Sequence, residues 1–447
     1  MRTLRYWARF SATFLKRFKR ILFASIFLGI LGFLFYSQAS KVFSLFNRGE
    51  VIGIVGKLSL TDLPSEIQSK VSLGLTTLDE NDNVKPGIAT YWESQEEGRV
   101  WIFKLGDYTW QDGSRIRASD INYQFSDVTK EILDDRTIKF TLKDPFAPFP
   151  SVVSRPIFKQ GLLGAGEWEV QKLSSLSSQL TQSIQLVSKK TGKKQTYRFY
   201  QTEDALRTAY KLGQINKLMG IMDTRELSGW PNSVVEEYTH EDRYVGIFIN
   251  TEDPILSSKS ARQALAYAIN KDNFPQKRAI SPISPNSWAF NPQVKQYNYN
   301  LDRSRELLKT LPEQVKKDLN INLVTSPSLL HIADKIKSDW EVVGVKTHIQ
   351  VSNAPPQSFQ TFLAIQAIPY DPDQYSFWHS TQTATNITRY SKKEKESQRI
   401  DKLLEDGRKT LDAEERKKIY FDFQRFLLED LPVIPLFHPV TYTISRK

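Results

Sequence analysis

The segment that most constrains this chain is an uncharged run of 20 residues, Ile21 to Ser40, set behind a short basic tail. At about 1.5 Å of rise per residue, a helix of that length reaches about 30 Å, the thickness of the hydrocarbon core of a bilayer. Arg2, Arg5, Arg9, Lys16, Arg17, Lys19 and Arg20 precede it, with no acid among them. By the positive-inside rule this predicts a cytoplasmic N-terminus (1–20), a transmembrane anchor (21–40) and a body on the outer face of a cell membrane. Trp7, Phe35 and Tyr36 are placed to sit at the interfaces. A cleaved signal peptide is the alternative, with Ser37 and Ala39 supplying the small residues of a cleavage site. Both readings put residues 41–447 outside the cytoplasm.

The charge of the chain resolves once it is placed. Nine basic residues and no acid lie before Gly49, so the net charge of +11 falls to +2 over residues 49–447. A nearly neutral body argues against nucleic acid as a partner, which needs a basic face on the folded part. There is no cysteine, which excludes disulfides, thiolate metal sites, cysteine nucleophiles and a lipid-modified N-terminal cysteine. Five histidines, His240, His331, His348, His379 and His438, are scattered, with no two at ligand spacing. No metal and no cofactor is expected. There is no Gly-x-Ser-x-Gly, His-Glu-x-x-His or phosphate-binding loop either, so the chain is read as a non-enzyme.

The body alternates strand and helix patterns, which predicts an α/β fold. Val51–Val55, Val100–Leu105, Thr137–Leu142 and Tyr244–Asn250 read as strands. Ser183–Val187 and Thr196–Tyr200 flank a lysine-rich tip and read as a hairpin. Glu80-Asn81-Asp82-Asn83 and Trp110-Gln111-Asp112-Gly113 read as turns, and Ala118-Ser119-Asp120-Ile121 as the start of a helix. Ser258–Asn270 and Leu330–Val343 carry apolar residues at helical spacing. Asp412 is placed to cap a helix that buries Ile419, Phe423, Phe426 and Leu427 and stops before Pro432.

The order of short motifs then resembles a known family. Gly74-Leu75-Thr76, Pro86-Gly87-Ile88-Ala89, Trp101-Ile102-Phe103-Lys104-Leu105, Trp110-Gln111-Asp112-Gly113 and Pro145-Phe146-Ala147-Pro148-Phe149 come first. Phe248-Ile249-Asn250-Thr251, Tyr267-Ala268-Ile269-Asn270-Lys271, Asp371-Pro372-Asp373 and Leu431-Pro432-Val433-Ile434-Pro435 follow. In that order they resemble the family-5 extracellular solute-binding proteins, the oligopeptide-, dipeptide- and nickel-binding components of ABC importers. The resemblance implies a two-lobed, periplasmic-binding-protein-like fold of class II that closes on its ligand by a hinge motion. It implies lobe I at 49–85, 156–243 and 411–447, a small inserted domain at 86–155, and lobe II at 244–410. The stretch from Ile121 to Thr137 is short for the family, so the inserted domain is trimmed. Gly164-Ala165-Gly166-Glu167-Trp168 stands where the family has Gly-Thr-Gly-Pro-Tyr.

The function implied is an extracytoplasmic, monomeric receptor that delivers peptides to the permease subunits of an ABC transporter. Peptides in such proteins are held through their backbones, as an added strand. Phe362–Ile368 aligns with the strand they pair with, which makes Ala364, Gln366 and Ile368 candidates. Peptide-binding members carry an aspartate for the α-ammonium three residues before the Asp-Pro pair, and here that position is Ile368. Asp371 or Asp373 is the candidate substitute, with Tyr375 beside them. Asn250 and Thr251, at a strand end near the expected hinge, and Trp110, Trp288 and Trp378, as cleft aromatics, complete the candidates. Two further readings stay open: a receptor for a non-peptide solute, such as an oligosaccharide or metal chelate, and a membrane-anchored peptide sensor.

Overall fold

The computed structural model describes residues 49–447 apart from 57, 60, 61, 178, 179, 318 and 391–394. The basic tail and the apolar run 21–40 lie outside the described residues. Among the described residues no helix is long and apolar enough to cross a membrane.

Two large sheets organise the body. The first has seven strands in the order Ser233–Thr239, Val440–Arg446, Lys217–Ile221, Gly49–Val55, Lys194–Tyr200, Leu180–Ser188 and Trp168–Ser177. The second has five, in the order Lys346–Val351, Asn320–Thr325, Thr361–Ala367, Arg243–Ile249 and Val433–Phe437. The lysine-tipped hairpin forms as expected, with Lys194 opposite Val187. Arg243–Ile249 is a central strand buried over nearly its whole length, which explains why its sequence runs apolar instead of alternating.

A third, four-stranded sheet is made by Ala89–Gln95, Val100–Leu105, Thr137–Leu142 and Val128–Asp134. Its core holds Phe103, Phe140 and Phe149 with Trp110. The helix expected to begin at Ala118 is only a three-residue 3-10 turn, Ala118–Asp120, after which the chain is extended at Ile121. Asp120 spends its carboxylate on Trp110 Nε1 (3.2 Å) and on the Arg117 amide (2.9 Å).

Gln111 clasps this small sheet to the first lobe. Its side-chain amide donates to the carbonyls of Val71 (3.0 Å) and Trp168 (2.8 Å), and its carbonyl accepts from the Gly164 amide (3.1 Å). Gly164 and Gly166 let the two backbones meet. A Cβ on Gly164 would stand 2.1 Å from the Val71 carbonyl oxygen, and one on Gly166 would stand 2.4 Å from that of Lys70. No other residue permits that approach.

The chain passes between the two large sheets at two neighbouring places. Thr239 leaves the first sheet and Arg243 enters the second; Phe437 ends the second and Val440 rejoins the first. The His240 amide donates to the Pro439 carbonyl (2.9 Å), His240 Nε2 lies 2.7 Å from Thr441 Oγ1, and His438 Nδ1 lies 2.8 Å from the Arg243 carbonyl. The expected return to lobe I over 411–447 is therefore much shorter. The helix Ala413–Asp430 packs its Tyr420, Phe423 and Leu427 against the second sheet, Val433–Phe437 is that sheet's edge strand, and Val440–Arg446 alone rejoins the first sheet. The apolar face decides this: Tyr420, Phe423 and Leu427 are buried in the second lobe's cluster, and the opposite side of the helix, with Glu414, Lys418, Asp422 and Arg425, is exposed.

Asp412 caps the same helix as predicted, accepting from the Glu415 amide at 2.8 Å. Leu431 ends it in the left-handed conformation, φ 58°. Asp412→Ala is expected to cost about 1 kcal/mol of stability in denaturant unfolding.

Candidate functional site

A cavity of about 760 Å³ opens between the lobes. One wall comes from the first-lobe side: the helix Ser65–Val71, the hairpin Thr76–Leu78/Val84–Pro86 and the segment around Pro148 to Pro156. The other is Pro369, Tyr370, Asp371 and Asp373 of the second lobe. A second cavity of about 450 Å³ shares Asp79, Asp82, Pro369 and Tyr370 with it and extends to Ile368 and to Glu241 and Asp242 of the crossover. The site thus lies where the lobes face each other, next to the segments about which they would turn.

The Asp-Pro-Asp loop is held by two arginines. Arg416 forks onto Asp371 at 2.8 and 2.6 Å and donates Nε to the Gly407 carbonyl (2.8 Å). Burial works against the Arg416 charge, but Asp371 beside it holds the guanidinium above its ordinary value. Arg408 donates to Asp373 at 2.9 Å, lies 3.8 Å over the Tyr375 ring and 5.3 Å from that of Phe146, and its carbonyl accepts from the Ala147 amide at 2.6 Å. Phe146 and Ala147 follow the small sheet, so Arg408 is also a contact between the two sides of the cleft. Asp373 further accepts from the Tyr375 amide (3.0 Å). Both acids line the cavity with their charge already answered.

The other expected site residues fall in different places. Ile368, 7% exposed, lines the smaller cavity. Trp288, Trp378 and Ala364 pack in the same apolar cluster as Ile368, behind the cavity wall; Trp288 stacks near Arg416 (5.6 Å), and Trp378, 2% exposed, donates to Gln374 (3.2 Å). Tyr375 lines a separate hollow of about 540 Å³ beside Arg408.

The last three stand apart. Trp110, 1% exposed, is core of the small sheet. Asn250 and Thr251 lie at the far end of the second sheet from the crossover: the strand leaves the crossover at Arg243, and its seven residues span about 23 Å. There Asn250 caps a turn through the Glu252 amide (3.1 Å), and Thr251 donates to the Thr388 and Arg389 carbonyls (both 3.2 Å).

The strand Thr361–Ala367 has one feature that sequence did not reveal. Arg243–Ile249 pairs with all of it, but its parallel partner Asn320–Thr325 reaches only from Thr361 to Leu363. Among the described residues, Ala364 to Ala367, Gln366 included, therefore have no strand on that edge, and the chain then runs directly into Ile368 and the cavity wall.

Asp82, expected only as part of a turn, is the other residue that tertiary structure brings to the cleft. It sits at φ 60° between the two strands of the hairpin. Asp79 shapes that turn by accepting from the Asn81 and Asn83 amides (both 2.9 Å). Burial, with the carboxylates of Asp79 and Asp242 nearby, raises the Asp82 acid to about 6. Asp242 is also pushed upward by burial, yet hydrogen bonds from His240 and Arg243 hold it well below the usual carboxylate range. Among the described residues no three histidine, aspartate or glutamate side chains group as a metal-ligand set.

The raised pKa of Asp82 has a definite consequence for stability. Asp82 binds its proton more tightly folded than unfolded, so its contribution is fully present below about pH 4 and is lost as pH rises through about 6. After discounting for solvent contact, ionising it costs about 1–2 kcal/mol. Asp82→Asn, which also tolerates the positive φ, is expected to raise the melting temperature at pH 7.5 and to leave it unchanged at pH 4, as read by scanning calorimetry.

Comparison with known proteins bears on the same region. Residues 187–388 match the model for the middle region of the bacterial extracellular solute-binding proteins, family 5. A dipeptide-binding protein of Escherichia coli (strain K12) is 22% identical, covering 81% of this chain and 82% of that protein. Among solved structures, NikZ from Campylobacter jejuni in complex with Ni(L-His) superposes with a TM-score of 0.72 at 21% identity, covering 90% of this chain and 94% of that one. The oligopeptide-binding protein AppA from Bacillus subtilis, in complex with a nonapeptide, gives 0.68 at 18%, covering 89% and 95%. At these identities the solved structures speak for the fold.

Proposed function

We propose, for a chain that belongs to family 5 of the bacterial extracellular solute-binding proteins, the role of an extracytoplasmic receptor that captures peptides in the inter-lobe cleft for an ABC importer. The observation that carries it is the open edge of Ala364 to Ala367, which leads into the cavity. An extended peptide can hydrogen-bond to that edge as an added strand, and such contacts read backbone without reading sequence. A cavity of this size falls in the usual range for an enclosed small ligand. A non-peptide solute is the second reading, favoured by Ile368, which puts a methyl-rich surface where the peptide-binding pattern has an acid.

Anchored through residues 21–40, the receptor would stay at the outer face of the cell membrane without lipid modification, beside the permease it serves. The anchor reading rests on the charge-free length of 21–40 and the basic residues before it. Alkaline carbonate washing of membranes is expected to leave the full-length chain in the pellet; release into the wash, with a mature N-terminus at Ser40, would show a cleaved signal instead.

The ligand is tested on the full-length chain purified in mild detergent, denatured, and examined for released compounds by mass spectrometry. A ladder of short mixed peptides is expected. A single non-peptide compound would replace the peptide reading by the second one.

A further inference from the structure

The acids of the cleft are not equivalent. Asp371 and Asp373 are bridged by Arg416 and Arg408. Asp79 is tied to Lys85 (3.3 Å), Asp242 to Arg243 (2.8 Å), and Glu241 to Lys277. Glu80 is exposed at the rim. Asp82 differs from all of these. It lines both cavities, is half-buried, and has no side-chain hydrogen bond or ion pair to any described residue.

One cation in the larger cavity has the complementary property. Arg155, an exposed residue, lines it from the first-lobe side, and its guanidinium has no ion pair or hydrogen bond to a described residue, Asp82 included. Its main chain is fixed, since its carbonyl accepts from the Tyr123 hydroxyl at 2.7 Å. Among the described residues the cavity thus presents one carboxylate and one guanidinium without a protein partner and not paired with each other, on a lining that also includes Leu73, Phe146 and Val152.

We propose that this cavity is specific for a zwitterionic ligand, with Asp82 receiving its cationic group and Arg155 its anionic group. The inference deepens the peptide-receptor reading and rests on it in taking the cleft as the binding site. A half-buried carboxylate without a partner is a cost to the empty protein. Sites that give up stability in this way are characteristic of ligand binding, and a bound ammonium removes the penalty. It also assigns the charge anchor to the first lobe, opposite Ile368, so that lobe closure and charge recognition are coupled: the ligand's termini dock on one lobe and its backbone on the strand edge of the other.

The test uses the full-length chain in detergent at pH 7.5, with trialanine, N-acetyl-trialanine and trialanine amide as probes in titration calorimetry. Wild type is expected to bind trialanine at least about 10-fold more tightly than either blocked form, each lost charge pair being worth about 1.4 kcal/mol or more. Asp82→Asn is expected to abolish the preference over the acetylated peptide and to keep the preference over the amide; Arg155→Gln should do the reverse. Asp82→Asn should also melt no lower than wild type, which separates lost recognition from misfolding. Equal binding of all three peptides by wild type, or an Asp82→Asn variant that still discriminates against the acetylated form, overturns the inference. If none of the three binds, the peptide reading has failed on its own, and the compound released from purified protein decides. A zwitterion absent from Asp82→Asn preparations supports the assignment; a compound of any other charge type, or none at all, overturns it.

Discussion

Everything in this structure depends on how the backbone passes between the two large sheets. It does so through Thr239–Arg243 and Phe437–Val440, which run side by side and are hydrogen-bonded to each other through His240 and His438. The two lobes have separate apolar clusters on either side of this double crossing, so a rotation there would open neither core. The cavity lies next to it, and two crossover residues, Glu241 and Asp242, are part of its wall. A rotation there changes the distance between the Asp82 side and the Asp371 side directly, which is the geometry that hinge closure needs.

The electrostatics of the cleft follow a division of labour. Acids that position backbone are neutralised by arginines or lysines, and removal of Asp371 would leave the buried Arg416 guanidinium behind. The Asp371–Arg416 fork is the clearest case: it secures the loop that enters the cavity, and Trp288 and Tyr420 pack beside the guanidinium. This answers what happened to the Asp-Pro-Asp acids that the sequence offered as amine anchors. Their carboxylates already serve the fold, while Asp82, in a turn that looks like any solvated turn, is left over.

The two inner surfaces of the cleft are built differently. On the second lobe, Ile368 and the aromatic residues behind it give an apolar wall beside an unpaired strand edge. On the first lobe, the hairpin and the segment near Arg155 carry charge. On the proposed reading, backbone capture and charge recognition would lie on opposite walls, and closure would bring both to one ligand.

The sequence by itself determined the local elements and their order. Apolar runs fixed the strands at Val100–Leu105 and Arg243–Ile249, and Asp412 fixed a helix start, because each of these is decided by residues adjacent in the chain. It also determined the charge asymmetry between tail and body. Tertiary structure alone decided which lobe the C-terminal helix joins, that the Asn250–Thr251 turn lies at the far end of its strand, and that Trp110 and Trp378 are core. It decided, too, that the strand beside Thr361–Ala367 stops short. The site was least legible of all. Whether a carboxylate is spent or free depends on which cation the fold brings within about 4 Å, and Arg416 and Arg408 stand far from Asp371 and Asp373 in sequence. Pairing across such distances is set by the packing of helices on sheets, and no local pattern encodes it.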